Sequence, residues 1–456
     1  MNNSFAEDIV KKALKRGCDA AEVFMRSSRG ISAEAKDGKV EAMEASQDIG
    51  IALKVIRNQR LGFAFTTIRD EVEKTINTAI DAANWTAIDE YVDIPSYEAY
   101  KEVSIFDEKI KNIKEDDVIK DALLLEESAL AFDKSIKKVR KAEASAGSAF
   151  TTIVNSRGVN VSYESTYYSA HVTTLAQDAN GDSQMGWDFA GSRRRSDIDV
   201  VSIGKTASER AMELLGSRKI TSVRAPVILS PSVAVDFLDI LSASISAEAV
   251  QKKRSFLIDK TGQTVMSTNV DIIDDGAMQW GTGTKPVDDE GVPVTKKAIV
   301  SRGVFNGCIH NTYTAKKAGV KSTGNAARGG HKSLPGIGVT NFYIRPDESE
   351  KAEGRRQKAE GKRTKNNQLI KSISKGILIL NTMGLHTANP ISGDFSIGIS
   401  GLWIENGETV YPIKEAVISG NILELFKKIE GIGNDLKFYG NVGSPSLLIG
   451  DMDISA

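Results

Sequence analysis

Ser230-Pro-Ser-Val-Ala-Val-Asp-Phe-Leu-Asp-Ile-Leu-Ser-Ala-Ser-Ile-Ser-Ala-Glu-Ala-Val250 is the stretch from which the rest of the chain can be placed. It reads as a helix. Ser230 is suited to capping free amides, and Pro231 at the first helical position gives up an N–H that has no partner there anyway. Val227-Ile-Leu229 immediately before it reads as a short buried strand, and Gly216-Ser-Arg-Lys-Ile-Thr-Ser-Val-Arg-Ala-Pro226 is polar and turn-rich. That polar stretch is the candidate boundary between a first domain over 1–220 and a second over 225–456. Beyond Phe256 come short apolar runs such as Ala298-Ile-Val300, Gly376-Ile-Leu-Ile-Leu380 and Ser446-Leu-Leu-Ile449. They predict an antiparallel, β-rich C-terminal domain.

Upstream, Phe5, Ile9, Val10 and Ala13 form one apolar stripe of an amphipathic helix, without the apolar core of a signal peptide. From Ile31 the pattern turns to strand, with Asp37-Gly38 suited to a tight hairpin turn. Ile51-Ala-Leu-Lys-Val-Ile56 and Leu61-Gly-Phe-Ala-Phe65 flank the polar turn Arg57-Asn-Gln-Arg60. Val72, Ile76, Ala79, Ile80 and Ala83 then recur at helical spacing, predicting a helix over 70–85. The scheme recurs: strands over 139–154 and 159–175, turns at Asn155-Ser-Arg-Gly158 and Asp178-Ala-Asn-Gly181, and a helix over 197–215. A helix over 116–130 lies between the two rounds. Strands followed by a helix, twice, predict an α+β N-terminal domain of antiparallel sheet plus helices.

At 456 residues, with 41% hydrophobic composition, the chain can bury more than one core. Lys+Arg 59 against Asp+Glu 60 leaves a formal net charge of -1, so no overall field gathers nucleic acid or an anionic membrane surface. Direct nucleic-acid binding is not expected. No run is continuously apolar over the roughly 20 residues a membrane helix needs, and cytoplasmic residence is the expectation. Cys18 and Cys308 are far apart and form no close-spaced metal pattern. The almost wholly charged and polar stretch 347–365 is expected to project as a mobile excursion.

His171, His310, His331 and His386 are the whole histidine supply, and no two are close enough in sequence to build a helical zinc pair. No Gly-x-Ser-x-Gly elbow and no phosphate-cradling glycine loop is present. Three polar loops stand out instead. The packed carboxylates of Asp288, Asp289 and Glu290, before Gly-Val-Pro293, suit a cation, an N-terminal amine or an arginine, or else a capped turn. Ser322-Thr-Gly-Asn-Ala-Ala-Arg328 brings Asn325 and Arg328 into a loop fit to grip an extended peptide, and Asn389-Pro-Ile-Ser-Gly-Asp-Phe395 is similar in kind. Each equally suits stabilising its own bends.

Taken in order, Asp288-Asp-Glu-Gly-Val-Pro293, Tyr313-Thr-Ala-Lys-Lys-Ala-Gly319, Ser322-Thr-Gly-Asn325, Ser392-Gly-Asp-Phe-Ser396 and Ile404-Glu-Asn-Gly407 resemble the TldD/PmbA family of metallopeptidases and so-called gyrase modulators. Ala20-Ala-Glu-Val23 and the hairpin over 50–65 fit the same family. The resemblance implies that TldD-type subunits carry a His-Glu-x-x-x-His helix and a C-terminal cysteine as zinc ligands, whereas TldE (PmbA)-type subunits lack them and pair with TldD. Here the corresponding region reads Ile240-Leu-Ser-Ala-Ser-Ile245, Glu248 lies slightly beyond the expected base, and no cysteine follows Gly440. The expectation is therefore a chain without catalytic or metal residues of its own, inactive alone, with zinc in a TldD-like partner. The pair would process unfolded peptides, and Asp288, Asp289, Glu290, Asn325 and Arg328 are candidates for its chamber walls. The alternatives are a self-associating hydrolase with a non-standard site, and a protein-interaction modulator of DNA gyrase.

Overall fold

One pattern, used twice, makes the N-terminal half. In this computed structural model, which describes residues 3–347 and 367–456, helix α1 (Asn3–Lys15) leads into strands β1 (Ala20–Lys36), β2 (Lys39–Arg57) and β3 (Arg60–Thr66), then helix α2 (Val72–Trp85). After a short helix α3 (Glu108–Lys111), helix α4 (Glu115–Leu130) leads into β4 (Ile136–Asn155), β5 (Asn160–Gln177) and β6 (Ser183–Ser192), then helix α5 (Val200–Glu213). The strands join antiparallel in the order β3-β2-β1-β4-β5-β6. The two rounds are thus halves of one six-stranded sheet, with β1 and β4 as the seam.

Alternation along the strands decides what each face covers. Val23, Met25, Ile51 and Leu53 pack on Ile9 of α1 and Ile76 of α2, while Ile31 and Ala33 pack on Val118 and Leu125 of α4. The even-numbered Glu22, Phe24, Ala52 and Lys54 face the other way and are buried as well. The first strand starts at Ala20 and not at Ile31, and the sequence hides this because residues 20–25 are covered on both faces and show no alternation. Matching glycines let the two covering helices approach. A Cβ at Gly62 of β3 would lie 1.9 Å from the Ala79 carbonyl oxygen of α2, and one at Gly186 of β6 would lie 2.1 Å from that of Ala207 on α5.

The C-terminal half begins with β7 (Val223–Leu229), followed by helices α6 (Pro231–Ser244) and α7 (Ala247–Gln251). Strands β8 (Ile272–Asp275), β9 (Lys296–Ser301) and β10 (Val304–Phe305), helix α8 (Thr312–Ala318), the pair β11 (Ala326–Ala327) and β12 (Gly336–Ile337), and β13 (Phe342–Ile344) come next. The long strands β14 (Lys375–Met383), β15 (Asp394–Glu405) and β16 (Glu408–Asn421) then precede β17 (Ile429–Ile432), β18 (Lys437–Tyr439), β19 (Val442–Ser444) and β20 (Leu447–Ser455). One sheet runs β16-β15-β14-β7-β20-β17, and further pairing of β16 with β20 closes five of these strands into a barrel. A second runs β10-β9-β8-β13-β19-β18. The architecture is α+β, as the sequence pattern predicts.

Helix α6 lies in the largest apolar cluster: Val233, Ala234, Phe237, Leu238 and Leu241 pack with barrel residues such as Ile379, Ile397 and Ile449. The helical run expected over 230–250 is interrupted at Ile245 and Ser246. There the Ile309 N–H donates to the Ile245 carbonyl (3.0 Å), and the Ala247 N–H donates to the Ile309 carbonyl (3.0 Å) instead of to its own preceding turn. Of the charged excursion expected over 347–365, only Asp347 falls within the described residues. Among those residues no helix is long and apolar enough to cross a membrane.

Candidate functional site

The pairing of β1 with β2 sets Glu22 directly opposite Lys54, on the sheet face turned away from the helices. The C-terminal half meets them with Glu290 and Arg328. Lys54 Nζ lies 3.2 Å from Glu290 Oε1 and 3.4 Å from Glu22 Oε2, and Arg328 Nη2 lies 2.9 Å from Glu22 Oε1. Glu22, Lys54 and Glu290 are 1%, 4% and 3% exposed. The Arg328 guanidinium also sits over the Phe24 ring at 4.9 Å and donates to the Ser333 carbonyl (2.7 Å). Two cations and two carboxylates thus balance inside the wall between the halves.

Burial pushes the Glu22 carboxyl up, against the opposing pull of Lys54 and Arg328. For Glu290 burial acts the same way but is outweighed by Lys54 and by donation from Thr312 N–H (2.8 Å), which leave its carboxyl below the usual range. Burial would lower Lys54; Glu22 and Glu290 more than reverse this and hold the ammonium firmly charged.

The remaining sequence candidates surround this network. Asp288 Oδ1 accepts N–H from Glu290 (3.0 Å) and Val292 (2.9 Å), and Oδ2 accepts from Ala326 N–H (2.9 Å). It caps the turn, which Gly291 completes at φ +92°. Burial and the Glu290 charge push its carboxyl up to about 7, in spite of those backbone donors. Asp289 accepts from Lys285 Nζ (2.7 Å) and from Arg328 N–H (2.7 Å). Asn325 donates to Asp274 (2.8 Å) and the Gly338 carbonyl (3.0 Å), and accepts from the Thr323 hydroxyl (2.8 Å). Asp288, Asp289 and Asn325 therefore hold loops together from within, and Arg328 joins its loop to Glu22 of β1. The Asn389 loop likewise stabilises its own bend, with the Asn389 side chain accepting from Ile391 N–H (2.9 Å).

Of the five, Glu290 faces a cavity: with Lys54 it lines a space of about 550 Å³ between the two halves. Leu61, Val92, Leu334 and Pro335 give this cavity apolar walls; Asp89, Asp93, Glu248 and Tyr313 line it too. The sequence did offer a signal for Lys54, a lone charge inside the apolar run Ile51-Ala-Leu-Lys-Val-Ile56, but nothing marked which face of the strand would be covered. Asp89 gave none, because it lies in an irregular segment after α2.

Family models match almost the whole of this architecture: the PmbA/TldA metallopeptidase C-terminal domain over 222–456, the central domain over 108–215 and domain 1 over 21–83. The chain belongs to the PmbA/TldD family. Metalloprotease PmbA of Escherichia coli is 28% identical over 98% of this chain and 96% of its own length. A solved structure from Thermotoga maritima, described as a modulator of a DNA gyrase, is 28% identical with a TM-score of 0.89, covering 99% of both chains. TldE from Thermococcus kodakarensis shares the fold at 20% identity, with a TM-score of 0.88 over 99% of this chain and 100% of that one.

The PmbA/TldD resemblance implies zinc on the helix occupied here by α6, and the residues present do not fit that ion. Leu241 and Ile245 are 0% exposed, and Ile240 packs against the same apolar cluster. Of the two acids of α6, Asp236 accepts from the Thr382 hydroxyl (2.8 Å), and burial together with Asp236 pushes Asp239 up to about 6. Among the described residues no three His, Cys, Asp or Glu side chains come together to hold a metal ion. Glu248, on α7, pairs with Lys252 and lines the cavity.

Proposed function

We propose that this chain is the non-catalytic, TldE-like member of a heterodimer with a TldD-like zinc peptidase, and that the pair degrades or processes unfolded peptides. The observation that carries the reading is the interior of α6. A zinc-activated water needs ligands that hold the ion and lower the pKa of that water, and this helix and the turn that ends it instead present Leu241 and Ile245 to an apolar core. A structure that keeps the family architecture while filling its metal position with aliphatic packing suits a subunit that shapes the chamber and leaves the chemistry to its partner. Main-chain hydrogen bonding to an extended segment would let such a chamber accept peptides of varied sequence.

The test is co-expression with a TldD-like protein, followed by sizing, zinc analysis and cleavage of an unfolded peptide by each subunit alone and by the pair. The expected result is one complex, zinc in the partner, and cleavage only where the partner is present. One equivalent of zinc with peptidase activity in this chain alone would overturn the reading.

A further inference from the structure

We infer that the cavity between the halves is a binding site for a cationic peptide segment, with the peptide's ammonium or guanidinium held by Asp89 and Glu248 beside Tyr313, and a main-chain carbonyl held by Lys54. This rests on the reading of the chain as a peptide-handling subunit and names the ligand class of its cavity.

The charges around the cavity are not equally engaged. Asp93 pairs with Arg157 and Lys316, and Glu290 pairs with Lys54. Asp89 accepts only neutral donors, Tyr91 N–H (2.9 Å) and the Tyr313 hydroxyl (3.0 Å); no lysine or arginine among the described residues forms an ion pair with it. Glu248 has only the solvated i,i+4 contact to Lys252, a weak bond that a ligand cation can displace. Both carboxylates act on the Tyr313 hydroxyl, which burial first, and then Asp89 and Glu248, hold above its ordinary value. A half-buried carboxylate without a counter-ion, a second that is easily released and an aromatic ring between them suit an organic cation. Aliphatic Leu61, Val92 and Leu334 suit the stem that carries it.

The deepest part sets a different demand. Lys54 has three N–H donors; Glu290 Oε1 accepts one at 3.2 Å, and Glu22 Oε2, 3.4 Å away, balances its charge without accepting a hydrogen bond. The buried network is already neutral, so a carboxylate placed there would be an uncompensated buried charge. A peptide carbonyl accepts a remaining N–H without that cost. The cation therefore belongs at the half-buried acids, and an uncharged acceptor belongs at the floor.

Calorimetric titration of the full chain tests this with N-acetylated alanine-based hexapeptides carrying one arginine or one glutamine, an unblocked hexapeptide without arginine, and arginine amide. At least one of the two cationic hexapeptides should bind at least tenfold more tightly than the blocked glutamine peptide, and which of them does so separates a side-chain cation from a terminal one. Asp89→Asn should remove most of that preference, and Glu248→Gln part of it, with unchanged thermal unfolding. Arginine amide should bind more weakly than the arginine hexapeptide. Equal binding of charged and neutral peptides, or full preference retained in Asp89→Asn with Glu248→Gln, would overturn the inference. Complex formation with a TldD-like partner is read separately by sizing, so a charge-blind cavity in a chain that still pairs would remove this inference alone.

Discussion

Replacing Lys54 by methionine is the most exacting test of the wall between the halves. Methionine keeps the stem volume and removes the ammonium, leaving Glu22 and Glu290, 1% and 3% exposed, without the cation that lies 3.4 and 3.2 Å away. Removing one partner of a buried pair costs ~3–5 kcal/mol, because the remaining charge stays desolvated. Arg328 still faces Glu22, which places the expected loss at the lower end, ~3 kcal/mol. The loss should depend on pH with a definite sign. Glu22 is already raised by burial, and without Lys54 it rises further. A carboxyl raised in the folded state favours the fold while protonated, and that contribution is lost as pH climbs through its folded value. Lys54→Met should therefore lie closest to the parent protein in mildly acidic buffer and fall away towards pH 8. Urea midpoints measured across that range give the answer. Adding Glu22→Gln should recover ~1 kcal/mol or more, because it removes one of the stranded charges. A loss under ~1 kcal/mol at pH 8, or a difference from the parent that does not vary with pH, would refute this account of the network.

Asp288→Asn removes a carboxyl held up to about 7 by burial and by Glu290, so the stability it contributes in full below its ordinary value near 3.8, and loses as pH rises towards 7, should disappear from the urea-midpoint profile. The variant should also be less stable throughout by ~1–3 kcal/mol, because one amide oxygen cannot satisfy the three N–H donors that Asp288 accepts. Leu241→Ala, at a fully buried position of α6, should cost ~2–5 kcal/mol in thermal unfolding. Ala243→Ser, on the exposed side of the same helix, should stay within ~0.5 kcal/mol, and equal losses at both positions would show that the helix is not oriented as described. Gly62→Ala and Gly186→Ala should each lower the melting temperature, by ~1–3 kcal/mol in stability, because each Cβ meets a helix carbonyl oxygen at 1.9 and 2.1 Å. Their effects should add, since they lie at opposite ends of the sheet.

The parts of the fold legible in the sequence were those with a one-sided environment. Val72, Ile76, Ala79 and Ala83 declare α2 because one face of that helix is wet, and Asp37-Gly38 marks its hairpin because both residues take positive φ there. The onset of β1 was hidden for the opposite reason, since residues 20–25 are covered on both faces. The break after α6 was hidden because its cause is remote: Ile309 is the residue that draws off the Ala247 N–H. Barrel closure by β16 and β20 is a pairing of distant segments that no local pattern records. At the candidate site the sequence singled out the loops and left their direction open. Asp288 and Asn325 turn inward to backbone and side-chain partners, Glu290 turns to the cavity, and alternating polar residues in a loop carry no period from which to tell these apart.

The two buried features of this chain point in opposite chemical directions, and together they limit where function can reside. Inside α6, a position that the family resemblance assigns to a charged, ligand-bearing surface is aliphatic, and it contributes ordinary packing free energy. Between the halves, where aliphatic packing would hold the surfaces together at least as well, four charges from β1, β2 and two C-terminal loops are buried instead. A buried ion network is a poor means of gaining stability. What it does impose is register, since Glu22 and Lys54 find Glu290 and Arg328 only when the halves dock in one way. It also leaves a charged donor, Lys54, in the wall of a cavity that apolar side chains and acids line together. Polar groups are thus retained in this chain where they fix the docking of the halves and line the cavity, while the helix position to which the resemblance assigns zinc is aliphatic. That division is the one that the proposed peptide-positioning subunit requires.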